Sequence, residues 1–138
     1  MSYLNIEKAL TKAARSAIGK FPISYVSDEI ANTDEIEGFW FKLSNLRAQS
    51  NVATMGSKGE DNHPGVFQID INYPKNLGEG PLLQKADELV KLFPAGASFT
   101  SGGQAVKLTG TSVSPTRTVN GFLRVSVSLN YYSRSQRR

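Results

Sequence analysis

Over residues 123–131 every second position is apolar, namely Leu123, Val125, Val127, Leu129 and Tyr131, while Arg124, Ser126, Ser128 and Asn130 between them are polar. Side chains of an extended chain point alternately to its two sides, so this pattern specifies a strand with one covered face and one wet face. Residues 66–73 repeat it, with Phe67, Ile69, Ile71 and Tyr73 alternating with Gln68, Asp70 and Asn72. Phe39, Phe41 and Leu43 give a shorter version, Val106 and Leu108 mark a strand before the last one, and residues 24–26 read as another. Clean alternation predicts a mostly antiparallel sheet, with a mixed sheet the alternative, covered on one side only.

Two segments change the period. Ile6, Leu10, Ala13, Ala14, Ala17 and Ile18 form one stripe of an α-helix over about residues 4–18, with Gly19 as its stop and Pro22 beyond. Leu82, Leu83, Ala86, Leu89, Val90 and Phe93 form a second, opened by Pro81 and ended by Pro94. Two helices, each with one apolar side, and a sheet with one apolar face satisfy each other. The expectation is a single α+β domain in which both helices pack on one sheet face.

At 138 residues the chain has room for one core, placed at residues 1–132, with residues 133–138 as a basic tail. No cysteine is present, which excludes disulfides, thiolate catalysis and zinc-thiolate sites. No apolar run reaches the roughly 18 residues of a membrane helix and the start lacks a basic-then-apolar leader, so the chain reads as soluble, without a secretion signal or membrane contact. The net charge is +4, and its excess is C-terminal: residues 70–138 hold 9 basic and 4 acidic groups against 7 and 8 in residues 1–69. Three of those positives, Arg134, Arg137 and Arg138, lie in the last five residues and read as a tail rather than a binding face.

Residues 55–65, without period and rich in turn formers, are expected to be an exposed, mobile hairpin loop. Residues 112–120 are expected to be a second loop, joining the last two strands. His63 is the only histidine, and in such a loop it lacks the rigid orientation that a Ser-His-Asp triad needs. Residues 96–100, Gly-Ala-Ser-Phe-Thr, begin like a nucleophile elbow but lack its second glycine and read as a turn. Glu60, Asp61 and His63 do not match a calcium loop, and Asp34, Glu35 and Glu37 read as an acidic turn. Gly78-Glu79-Gly80-Pro81 has neither a Walker lysine nor a full dinucleotide pattern. Tyr132 and the terminal arginines offer one stacking platform for a nucleic acid. No cofactor, metal or catalytic residue is predicted.

The order of a strand at Gly65-Val66-Phe67-Gln68-Ile69-Asp70-Ile71-Asn72-Tyr73-Pro74, then Gly78, then a helix ending in Phe93-Pro94, resembles the tail-terminator-like proteins of tailed bacteriophages. The closing stretch Gly121-Phe122-Leu123-Arg124-Val125-Ser126-Val127-Ser128-Leu129-Asn130-Tyr131-Tyr132 is similar to their last strand, and Phe21-Pro22-Ile23-Ser24-Tyr25 leading to Phe39-Trp40-Phe41 to their beginning. The Gly-Glu-Gly before the second helix and the arginine-rich end depart from that pattern. The resemblance implies a non-enzymatic virion protein, assembled in the host cytoplasm. It would form a homo-oligomeric ring of six copies that caps the tail tube, stops its polymerisation and offers a face to the connector or neck protein of the head, with DNA passing through the lumen. A ring needs a heterologous contact, one patch meeting a different patch on the next copy. The residues expected at subunit or tube contacts are Ser57, Lys58, Glu60, Asp61 and His63 of the loop, Gln68 and Asp70 as exposed strand residues, and Trp40 if it lies on the outer sheet face. Arg134, Arg137 and Arg138 are expected to meet DNA or a partner. The alternatives are a neck or head-completion connector protein and a small nucleic-acid-binding module.

Overall fold

Two strands, β4 (Glu60–Pro74) and β8 (Phe122–Gln136), pair antiparallel along their whole length, from Glu60 opposite Gln136 to Pro74 opposite Phe122. Fifteen residues at ~3.4 Å each make a ribbon about 50 Å long, and everything else is built on it. The computed structural model describes residues 3–25, 38–52, 59–119 and 121–136.

On one side of the ribbon, β2 (Trp40–Arg47) runs antiparallel to β4, and the short β1 (Ile23–Tyr25) adds parallel to β2 at the edge. β3 (Asn51–Val52) continues that side by pairing with Asp61 and Asn62. On the other side, β6 (Gln104–Val113) pairs with β8 and carries β5 (Ser98–Ser101) at the far edge, while β7 (Arg117–Val119) pairs with the start of β8. The order β1-β2-β4-β8-β6-β5 is mostly antiparallel with one parallel edge, and the sheet curls around the helices. The mixed alternative therefore holds at one edge.

Helix α1 (Tyr3–Ile18) buries Ile6, Ala9, Leu10, Ala14 and Ile18, and α2 (Gly80–Leu92) buries Leu82, Ala86 and Leu89. They cover the face formed by Phe41, Leu43, Phe67, Ile69, Ile71, Val106, Leu108, Val125, Val127, Leu129 and Tyr131. A 13-residue helix is marginal alone in water, so α2 is held by this packing rather than by intrinsic propensity. Gly19, at φ +77°, ends α1 by donating its N–H to the Arg15 carbonyl at 3.0 Å. Phe93, not Leu92, closes α2 against the core, its N–H bonding the Val90 carbonyl before Pro94 turns the chain away.

Four expectations change. Residues 60–65 are strand rather than loop. Pro64 fits inside the sheet because it sits where β2 ends and β3 has yet to begin, and its carbonyl still accepts from Ala48 N–H at 3.0 Å. Residues 133–136, expected in a tail, are the matching end of β8, where Ser133 is fully buried. Residues 98–101 form β5 rather than a turn; Gly96, at φ +89°, makes the turn before it. Most of residues 112–119 extend the β6–β7 side of the hairpin to β8, leaving 114–116 as its interruption.

Candidate assembly surfaces

The sheet face away from the helices carries no helix, yet it is not a bare polar surface. Asp70, expected to be exposed, is only 5% exposed. Its Oδ1 accepts from Gln68 Nε2 at 2.8 Å and from the Ser126 hydroxyl, with Arg117 Nη2 at 3.9 Å. Arg117 also donates to Ser126 Oγ at 2.8 Å and to Ser114 Oγ at 3.1 Å, and Ser114 Oγ accepts the Ser126 N–H at 2.9 Å. The Arg117 side chain thus reaches from the β8 edge onto the open face, and a carboxylate taken out of water is compensated by hydrogen bonds and one cation.

Beside it lies a second small cluster. Trp40 does lie on this outer face, but it is buried there, edge-on to Phe122 at 5.6 Å with the Arg124 guanidinium 5.9 Å from its ring. Arg124 Nε donates to Asn72 Oδ1 at 2.6 Å, and Asn72 Nδ2 reaches the Trp40 carbonyl at 3.3 Å. Burial lowers the pKa of Arg124, Asp70 opposes that shift, and Arg117 adds to it. Trp40 Nε1 is buried with no hydrogen-bond partner among the described residues. Trp40 is therefore part of a minor core, its ring covered by Phe122 and Arg124.

At the distal end of the ribbon His63, expected in a solvated loop, is 7% exposed. Its Nδ1 meets Ser50 Oγ and its Nε2 meets Ser135 Oγ, both at 2.6 Å, and the Tyr3 ring stands edge-on to it at 5.7 Å. One imidazole joins the segment after β2, strand β4, the end of β8 and the start of α1. Burial lowers its pKa from 6.5, while Asp61 opposes that and the N-terminal amine adds to it. Close by, Tyr131 donates to Asn45 Oδ1 at 2.7 Å, Asn45 donates to Glu7 Oε2 at 2.6 Å, and Glu7 pairs with Arg47 at 3.6 Å. Burial raises the pKa of the Tyr131 phenol against the opposing pull of the Asn45 hydrogen bond.

The remaining predicted residues separate. Glu60 and Asp61 stand opposite Gln136 and Ser135, so the expected loop and the expected tail are two sides of one ladder. Arg134 is exposed, with its guanidinium 5.7 Å from the Tyr132 ring. Ser57, Lys58, Arg137 and Arg138 lie outside the described residues, as do Asp34, Glu35 and Glu37. The periodicity singled out neither Arg117 and Ser114, which lay in an expected loop, nor Tyr3 and Ser50, which meet His63 only through the fold. Among the described residues no group of three or more His, Cys, Asp or Glu side chains is placed to hold a metal, and no helix is long and apolar enough to cross a membrane.

On the helix side an open groove of about 500 Å³ runs between α1, the end of α2 and β5, lined by Ala9, Ala13, Ala17, Leu92, Phe93 and Phe99. Its lining, mostly apolar with Lys12, Ser16, Ser98 and Thr100 between, and its open form suit a protein contact better than a reaction site.

The chain matches none of the curated proteins. A solved structure 26% identical in sequence superposes with a TM-score of 0.68 over 94% of this chain and 91% of its own. The family model described as phage tail terminator protein matches residues 5–131, a span that takes in every element from α1 to most of β8. The chain therefore belongs to the phage tail terminator protein family, and is a structural component of a phage tail.

Proposed function

We propose that this protein is the terminator itself: a ring of identical subunits on the end of the completed tail tube that stops addition of tube protein and presents its other side to the head. The observation that carries this reading is the family match across residues 5–131, which runs from α1 into β8. The work is done by shape and surface, not by bond chemistry. A closed ring needs two unlike patches per subunit. The curled sheet ends in two different edges, β1 on one side and β5 on the other, which supports a head-to-tail arrangement. Six copies is the expected number, with the tube protein and a connector as the partners and DNA crossing the lumen.

Electron microscopy of particles made without this protein tests the reading. Overlong or ragged tails detached from heads are expected. Tails of normal length with capped ends, beside separate heads, would assign the protein to head completion instead.

A further inference from the structure

The exposed side of α1 carries Lys8, Lys12 and Arg15, spaced to lie on one stripe about 10 Å long. Among the described residues none of the three enters an ion pair, whereas Glu7–Arg47, Lys85–Glu88 and Arg117–Asp70 do. The apolar groove floored by Ala9, Ala13 and Ala17 runs alongside, with Lys12 at its rim. Three cations beside an apolar slot fit a helix that presents carboxylates around an apolar side chain. This chain holds such a stripe: Glu79, Leu83 and Asp87, four residues apart from the N-cap to the middle of α2, all exposed, with Leu83 41% accessible. Glu79 and Asp87 have no cation partner among the described residues; the Glu79 carboxylate accepts the Thr116 hydroxyl at 2.7 Å. The carboxylates are about 12 Å apart along the helix, close to the length of the basic stripe.

We propose that the basic stripe and groove of α1 in one copy receive the Glu79–Leu83–Asp87 stripe of the next copy, Leu83 entering the groove while the carboxylates face Lys8, Lys12 and Arg15. This rests on the ring reading above and names the two unlike patches it requires. A contact of this kind joins two different surfaces, so it propagates in one rotational sense and can close.

The absence of cysteine makes the test direct. Single variants Lys12→Cys and Asp87→Cys, prepared separately, mixed and treated with a short bis-maleimide, are expected to cross-link at least fivefold more than either variant alone or than Lys12→Cys mixed with Ser128→Cys on the opposite sheet face. Equal yields, while the unaltered chain assembles by sedimentation velocity, overturn the contact and leave the ring intact. Preferential linking of Lys12→Cys to Glu35→Cys overturns it in favour of the acidic stretch at residues 28–37. Lys12→Glu with Arg15→Glu is expected to lower the assembled fraction at least tenfold, Asp87→Lys to do the same, and the combination to restore it; failure of the combination to restore assembly counts against the pairing. A chain that stays monomeric both at high concentration and on isolated tube ends overturns the ring reading and the contact together.

Discussion

The two faces of β4 differ by a shift of one residue and are stabilised by different physics. Phe67, Ile69 and Ile71 are 0–1% exposed beneath the helices, held by area removed from water and by close packing. Asp70 and Asn72, on the other face, are nearly as buried, at 5% and 0%, but each is held by directional bonds to a few named partners. Apolar burial tolerates small displacements. A buried carboxylate does not, since losing one partner leaves a charge or a donor uncompensated. Burial alone therefore does not distinguish the faces; their response to substitution does.

The largest expected effect is on the apolar face. Phe67→Ala should lower the unfolding free energy by about 3–5 kcal/mol, measured by urea denaturation, because the cavity is enclosed on all sides. A loss below about 1 kcal/mol would mean that the helix layer collapses onto the gap and is far looser than its burial implies. Asp70→Ala should cost roughly 1–3 kcal/mol by leaving Gln68 and Ser126 without their acceptor and Arg117 without the charge beside it. The coupling between Asp70 and Arg117 in a double-mutant cycle should stay below about 1 kcal/mol, since Arg117 is 43% exposed and 3.9 Å away. A larger coupling would make the polar face a true ion-pair core.

The contrast sharpens at Gly65 on the helix-covered face, where a ring packs against the backbone. A methyl group added there would lie 2.6 Å from Tyr131 Cζ, so Gly65→Ala should displace the phenol from Asn45 and cost about 1–3 kcal/mol. Tyr131→Phe, which removes only the hydroxyl, should cost about 1 kcal/mol, and the ratio of the two separates packing from hydrogen bonding.

The smallest effect is the pH response of the ribbon's end. His63 has a folded pKa below its unfolded value of 6.5, so the unfolded state binds the proton more tightly. Stability is then complete above about pH 6.5 and declines as pH falls through the folded value. Comparing urea midpoints at pH 7.5 and 5.5 in the native chain and in His63→Asn should show a shallower decline in the variant. Equal slopes would remove His63 from the account.

The strands and helices were legible because their patterns are local. Alternation in 123–131 located most of β8, and the stripe from Ile6 to Ile18 located α1. The ends of the ribbon were not legible. Glu60, Asp61 and His63 look like loop residues, and Arg134 looks like part of a tail, until residues 70 or more positions apart pair and supply each other's backbone partners. Trp40 likewise read as a candidate contact because nothing near it in sequence announces Phe122 and Arg124 as its cover.

The sequence by itself determined the α+β class, the two helices and the identity of the helix-covered face, since hydrophobic period is a property of consecutive residues. Tertiary structure decided that the opposite face is partly buried as well, that His63 is a buried link between segments rather than a loop residue, and that the basic stripe of α1 borders an apolar groove. Those features depend on which distant side chains arrive opposite one another, and a polar residue looks the same in sequence whether water or a buried partner satisfies it.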